Sequence, residues 1–281
     1  MTDFIIVFLD MILGGSFTGG IQSLGKDIST YNVAAYNFVL EINNVAVEPV
    51  AAVILSIILV LEFARISSKV DGDQKLGAQL VGAAIFKACL IVVAIQNVDL
   101  ILKAINSVGT TIIQSMTKVE TTGVSKGVPD DMRSTIENLG TVDLIGLFAL
   151  LLVPLFVTWL ASIIVQIVIF LRFAEIYILS SAATLPLVFM GHPETKPIAL
   201  GYLRKYGAAV LHGGMIIVAI KIYETFQKTS LSMDGILGNG DLSFKTLGDF
   251  VTNTGQLLIA PLFFIFLILA TGRFAKALMG E

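Results

Sequence analysis

Long runs of apolar residues, separated by short polar segments, make up most of the chain. A helix needs about 20 residues to cross a bilayer, and shorter runs also cross when flanking lysine and arginine side chains reach the membrane surface. Five runs meet this condition: 45–61, 77–95, 144–171, 206–220 and 250–272. The pattern therefore predicts an all-α fold, namely a polytopic helical membrane protein with five full spans.

A sixth apolar segment, 173–190, is interrupted by Ser180, Ser181, Thr184 and Pro186. It forms either a sixth span or a broken helix that enters the membrane and returns. Cytoplasmic parts of membrane proteins are enriched in lysine and arginine. If the segment does not cross, nine basic residues lie in the cytoplasmic parts, and eight lie in external parts that are about twice as long. This asymmetry favours five spans plus one broken or re-entrant segment, N-out and C-in.

The five-span topology divides the chain into six parts. The apolar stretch 4–13 is too short to cross, and the acids Asp3 and Asp10 do not fit a signal peptide, so we expect it to lie in the interface or pack on the bundle. The six parts are an external N-terminal interfacial region (1–44), a first transmembrane hairpin (45–95), an external amphipathic helix and loop (96–142), core spans that include a broken cytoplasmic-side segment at 172–205 (143–223), an external loop (224–249), and the last span with a short cytoplasmic tail (250–281).

The external part 96–142 contains two predicted helices. Residues 98–117 have the period of an amphipathic helix, and 130–139 form a shorter one that ends at Gly140. In the longer helix, one face is predicted to carry Ile101, Ile105, Val108, Ile112 and Met116, and the opposite face Asp99, Lys103, Asn106, Thr110 and Gln114.

Composition narrows the class of protein. Hydrophobic residues make up 56% of the chain and charged residues 14%, and the mean hydropathy is +0.88. Soluble domains carry about 25% charged residues, so a soluble enzyme and a disordered chain are both excluded. The net charge of −3 argues against a generally basic nucleic-acid binder. Cys89 is the single cysteine, so the chain has no internal disulfide.

No set of residues suits catalysis or metal binding. The two histidines, His192 and His212, and Cys89 are widely spaced, whereas a metal needs several ligands at short spacing. We therefore expect no enzyme activity, no metal and no cofactor. His192 is expected to be a solvated turn residue. His212 is expected to form a hydrogen bond across a helix contact, with a proton-relay role as the alternative.

Lys87 lies in the middle of the second span, where a lysine is costly, by about 2.5–3.5 kcal/mol. At about 1.5 Å per residue, Lys87 and Glu48 lie about 15 and 21 Å from the inner ends of their helices, a gap that a lysine stem can bridge. Two hypotheses follow. Lys87 forms an ion pair with Glu48 as a structural clamp, or it lines a water-filled path.

The stretch from Arg172 to Gly213 is the richest in unusual features. Pro186 breaks the helix and GHPETKP makes a turn before the chain returns to the membrane. A broken helix at membrane depth is tolerated only where it is buried in protein or lines a cavity. The alternative is an ordinary cytoplasmic hairpin. The candidate channel, gate or partner-contact residues are Lys87, Glu48, Glu62, Arg65, Arg172, Glu175, Pro186, Glu194, Arg204, Lys205 and His212.

Residues 172–223 carry a family resemblance. This run resembles the TrbL-like polytopic inner-membrane channel subunits of conjugative type IV secretion systems, of the Gram-positive type. His212 stands where the family's pattern has glutamine. The matching positions are Arg172, Glu175, Tyr177, Pro186, Pro193, Glu194, Thr195, Tyr202, Leu203, Arg204, His212 and Gly213.

The resemblance implies a multi-pass subunit in the bacterial plasma membrane that helps single-stranded DNA and its attached relaxase cross. It also implies a homo-oligomer that works with secretion and coupling ATPases and other channel subunits. Separately, the charge pattern predicts that basic inner-face residues contact acidic lipids, partner ATPases or DNA, or that they only set the topology; these residues are Arg65, Lys69, Lys196, Arg204 and Lys205. The alternative function is a small-molecule or ion transporter, which should show internal repeats and a polar cluster in mid-membrane. Apart from Lys87, the sequence has neither.

Overall fold

A computed structural model describes residues 2–14, 18–68, 74–119, 128, 130–231 and 247–280. Within these residues all regular structure is helical, which confirms the all-α prediction. The helices are α1 (Thr2–Gly14), α2 (Thr18–Leu24), α3 (Ile28–Tyr31), α4 (Val33–Ile42), a π-helical turn (Asn43–Val47), α5 (Glu48–Ser67), α6 (Gln74–Gln96), α7 (Val98–Thr117), α8 (Asp130–Glu137), α9 (Thr141–Ser181), α10 (Thr184–Val188), a 3₁₀ turn (Phe189–Gly191), α11 (Lys196–Leu231) and α12 (Leu247–Leu278).

Five of the described helical stretches are long and apolar enough to cross a membrane. A helix that is hydrophobic all round suits a lipid environment, and residues such as Val60, Phe86 and Phe266 are about two-thirds exposed on the single chain. The stretches are Val33–Ser67, Gly77–Gln96, Thr141–Ser181, Lys196–Thr225 and Leu258–Leu278. The predicted number of spans is confirmed.

The ambiguous segment 173–190 does not form a span of its own. Its first half continues the helix of the third span, so that α9 runs without interruption to Ser181. The rest breaks into α10 and the 3₁₀ turn. The first span also begins earlier than predicted, because α4, the π-helical turn and α5 follow one another from Val33.

The chain divides into two compact units. The first comprises Met1–Gly25, Ile112–Phe170 and Gly213–Gly272, and the second comprises Lys26–Thr111, Leu171–His212 and Arg273–Glu281. In the first unit, the apolar face of α1 packs on α8 and the start of α9. That core contains Ile5, Leu9, Ile12, Ile136, Leu147 and Leu151. Of the two expectations for the N-terminal helix, the structure therefore has the packed one.

The second unit contains the α5–α6 hairpin, most of α7 and the ends of three long helices.

The predicted apolar face of α7 was wrong by about one position. Val108 is 63% exposed, whereas Asn106, predicted to lie on the polar face, is 5% exposed. The helix is rotated because Gly109 lies against Val210, so close that a β-carbon at position 109 would overlap with the valine side chain. A close contact with α11, and not the apolar periodicity alone, sets the buried face.

Candidate functional site

The candidate site lies in the second unit, where residues 184–195 pack against the α5–α6 hairpin. We call these residues the re-entrant segment. It begins where α9 ends: the backbone N–H groups of Ala182 and Ala183 bond only three residues back, to Leu179 and Ser180. The segment then forms α10 and the 3₁₀ turn before α11 starts at Lys196. Both short helices contact the hairpin.

Asn43 fixes the start of the re-entrant segment. Its side-chain oxygen accepts hydrogen bonds from the Thr184 backbone N–H at 3.3 Å and from the Thr184 hydroxyl at 2.9 Å. Asn43 is 2% exposed and belongs to the π-helical turn, in which the Glu48 N–H bonds five residues back to the Asn43 carbonyl. Pro49 follows directly and has no N–H to continue the α-helical pattern. The side chain of Asn43 thus caps α10 from another helix.

Lys87 holds the end of the 3₁₀ turn. Its ammonium donates a 2.8 Å hydrogen bond to the Gly191 carbonyl. Gly191 is buried, and a β-carbon there would lie 2.8 Å from Cγ2 of Ile58 on α5. The predicted ion pair with Glu48 is wrong: in the described part of the chain, Glu48 forms no ion pair. Lys87 thus donates to a backbone carbonyl and not to a carboxylate.

Glu62, on α5, faces the turn that follows. One of its carboxylate oxygens lies 3.6 Å from Nε2 of His192 and 3.7 Å from the Arg65 guanidinium. The His192 side chain is 14% exposed, so the expectation of a solvated residue was wrong. Its Nδ1 accepts a hydrogen bond from the Glu194 N–H at 3.2 Å. The proton of a neutral His192 is therefore on Nε2, pointing toward Glu62.

A hydroxyl closes the turn. The Thr195 hydroxyl donates to the Phe189 carbonyl at 2.8 Å, and the N–H groups of Thr195 and Lys196 bond to the His192 carbonyl. The segment's own backbone hydrogen bonds are thus largely satisfied. Three side chains from other helices contact it: Asn43, Lys87 and Glu62. Irregular backbone needs such protein partners at membrane depth, because lipid offers no hydrogen bonds.

Arg172 joins α9 to α11 a short distance from the segment. It is 3% exposed, and its guanidinium donates to the carbonyls of Ala209 at 3.3 Å and Val210 at 3.2 Å. No ion pair in the described residues involves Arg172 or Glu175, which lies one turn along the same helix. Arg172 on α9 therefore binds the backbone of α11 by hydrogen bonds.

Hydrogen bonds of hydroxyl and amide side chains also hold the end of α9. Tyr206 on α11 bonds to Asn106 on α7, and its hydroxyl lies 3.4 Å from the Ser180 hydroxyl. Tyr202 donates to the Leu179 carbonyl at 2.9 Å, and Tyr177 donates to the Ile28 carbonyl at 2.8 Å. These bonds anchor the end of α9, from which the re-entrant segment departs.

The predicted site residues fall into four groups. Lys87, Glu62 and Arg65 lie beside the re-entrant segment, and Arg172 lies at the α9–α11 contact. Pro186, which is half-buried, and Glu194, which is exposed, belong to the segment itself. The others are not brought into one cluster: His212 is half-buried in α11, Glu48 and Glu175 are half-buried on their own helices, and Arg204 and Lys205 are exposed.

The sequence prediction missed Asn43, Asn106 and Tyr206. Their immediate neighbours gave no signal: Asn43 is followed by Asn44, Asn106 by Ser107, and Tyr206 follows two basic residues. Among the described residues, no three histidine, cysteine, aspartate or glutamate side chains come together in a way that could hold a metal ion. The chemistry of the site is hydrogen bonding and charge pairing that positions backbone.

Comparison with known proteins identifies the family. The family described as TrbL/VirB6 plasmid conjugal transfer like protein matches residues 20–184. No curated protein and no solved structure matched the chain. The family match covers more than half of the chain, from α2 to the first residue of α10, and includes Arg172, Glu175 and Tyr177 of the resemblance noted above. The chain therefore belongs to the TrbL/VirB6 conjugal transfer family and is a multi-pass plasma-membrane component of a conjugative type IV secretion system.

Proposed function

We propose that this protein is a channel and scaffold subunit that helps single-stranded DNA, with its attached relaxase, cross the plasma membrane. The observation that carries the proposal is the re-entrant segment: Asn43 and Lys87 hold its backbone by hydrogen bonds, and Glu62 lies 3.6 Å from His192 in its turn. A simple anchor of the secretion machine would need only apolar spans. Irregular backbone at membrane depth is tolerated only where it is buried in protein or lines a cavity, so this segment suits a subunit that shapes a passage.

The re-entrant segment is the proposed gate element of this subunit. In this proposal it lies on the cytoplasmic side, copies of the chain assemble into a ring in the bilayer, and secretion and coupling ATPases act on the same side. The exposed Glu194, in the turn of the segment, is available for such partners. The alternative function, a small-molecule or ion transporter, calls for internal repeats and a polar cluster in mid-membrane. Lys87 was the one such residue in the sequence, and its ammonium binds the Gly191 carbonyl.

The proposal is tested in donor cells carrying the conjugative element. Gly191→Ala should displace the turn, because the added β-carbon meets Ile58. Gly201→Ala on α11 is the matched control, since nothing lies within 4 Å of a β-carbon there. Transfer frequency, membrane level of the subunit and the transferred strand recovered with it after formaldehyde crosslinking are measured. We expect transfer and crosslinked DNA to fall at least tenfold for Gly191→Ala at an unchanged membrane level.

Two results would contradict the proposal. One is normal transfer from cells that lack the gene. The other is a transferred strand that crosslinks to the coupling ATPase but never to this subunit in cells that transfer normally. If Gly191→Ala lowers the membrane level, the double variant Gly191→Ala with Ile58→Ala restores the space, and its transfer frequency decides.

A further inference from the structure

A basic surface surrounds the start of α11 and the end of α12, in the second unit. Its five side chains are all exposed, and neither 196–212 nor 273–280 contains an acidic residue. We call this set the basic collar. It consists of Lys196, Arg204, Lys205, Arg273 and Lys276.

The two helix ends form one surface. A β-carbon at Gly207 on α11 would lie 2.6 Å from the terminal carbon of Met279, just beyond α12. Ala275 on α12 is also buried. Lys205 and Arg204 lie two and three residues before Gly207, so they flank this contact, and Lys196 lies about 16 Å farther back along α11. At 100° per residue, neighbours such as Arg204 and Lys205 point to different sides, so the charge surrounds the two helix ends and does not line one groove.

Exposed apolar residues alternate with the basic ones. Ile198 is 52% exposed, Phe274 is 47% exposed and Leu278 is 67% exposed. The collar also lies where two spans end, since Lys196–Thr225 begins there and Leu258–Leu278 finishes there. Basic groups beside exposed apolar groups at a span end are typical of the headgroup region of a bilayer.

We propose that the basic collar binds anionic phospholipid headgroups, with the acyl chains against the exposed apolar residues. Single-stranded nucleic acid would call for a basic groove with aromatic faces on which bases stack. Here the charge encircles the helix ends, and of the three apolar neighbours named above only Phe274 is aromatic. The geometry fits lipids, which surround a helix end on all sides.

The test uses the purified full-length protein in neutral detergent, titrated with phosphatidylglycerol or phosphatidylcholine and observed by native mass spectrometry. The variant Arg204→Gln, Lys205→Gln, Arg273→Gln and Lys276→Gln should bind phosphatidylglycerol at least tenfold more weakly, because each basic group near an anionic surface contributes about fivefold. Binding of phosphatidylcholine should not change. The matched control is Lys26→Gln with Lys118→Gln, two exposed lysines outside the collar.

A single-stranded oligonucleotide is titrated in the same samples by fluorescence anisotropy. Equal binding of phosphatidylglycerol by the collar variant and the control overturns the proposal. So does loss of oligonucleotide binding in the collar variant while phosphatidylglycerol binding persists, since the collar would then serve nucleic acid. Should the variant unfold, the two pairs on α11 and α12 are tested separately, and each is expected to show a smaller loss in the same direction.

Discussion

At the scale of single residues, two basic side chains in the second unit bind backbone carbonyls. Lys87 binds the carbonyl of Gly191, and Arg172 binds the carbonyls of Ala209 and Val210. Neither side chain forms an ion pair in the part of the chain that the structure describes. The sequence alone could indicate that Lys87 needs a partner, because lysine in a span is costly. It could not indicate which partner, because a backbone carbonyl cannot be identified as a partner from the spacing of side chains.

Lys87→Met tests this arrangement. The change removes the donor to Gly191 and leaves a buried carbonyl unsatisfied, which should cost about 1–3 kcal/mol of stability. The thermal midpoint of the purified protein should fall. Adding Glu48→Gln should not restore it, because Glu48 is not the partner. If that second change restored the thermal midpoint, the result would instead support an ion pair between Lys87 and Glu48.

The control for Lys87→Met is Lys103→Met on α7. Lys103 is 45% exposed and pairs with Asp99 at 3.2 Å, a hydrogen bond that raises the pKa of Lys103. Exposed pairs of this kind contribute about 0–1 kcal/mol, so the midpoint should change little.

At the scale of helices, the number of spans and their approximate position followed from the apolar runs, but their length, rotation and connection did not. The boundaries of α7 match the predicted 98–117, yet its buried face includes Asn106 and Gly109. That face depends on Tyr206 and Val210, which lie a hundred residues farther along the chain. The break after α9 was predicted from Pro186 and its polar neighbours. Lys87 and Glu62 were candidates, but their contacts with the broken segment were not predicted and Asn43 was missed, because all three are distant from the segment in sequence.

Asn43→Ala tests the cap on α10. Losing a capping side chain costs about 0.5–2 kcal/mol, and here the loss falls on a five-residue helix with little stability of its own. Backbone amides of 184–191 should exchange with deuterium several-fold faster, while those of α6 stay unchanged. Asn37→Ala is the control, since Asn37 is exposed on the neighbouring α4. Equal exchange in both variants would show that the cap does not hold the segment.

At the scale of the whole molecule, the orientation in the membrane is a prediction from charge. The described helices give five spans, which puts the two termini on opposite sides. Lysine and arginine residues favour the cytoplasm, and the predicted inner parts are denser in them than the outer parts. The N-terminus and the loop before α9 should therefore be outside, and the C-terminus inside.

Single-cysteine labelling in intact cells checks the orientation. Cys89→Ser removes the native thiol, and Asn138→Cys and Leu278→Cys each place one new thiol at an exposed position. A membrane-impermeant maleimide should label position 138 in intact cells and position 278 only after lysis, since position 278 follows Arg273 and Lys276 at the inner end of the last span. The reverse pattern would invert the topology and place the re-entrant segment outside, where the ATPases cannot reach it. Labelling of both positions before lysis would mean an even number of crossings between them, so that either one of the assigned spans does not cross or the re-entrant segment does.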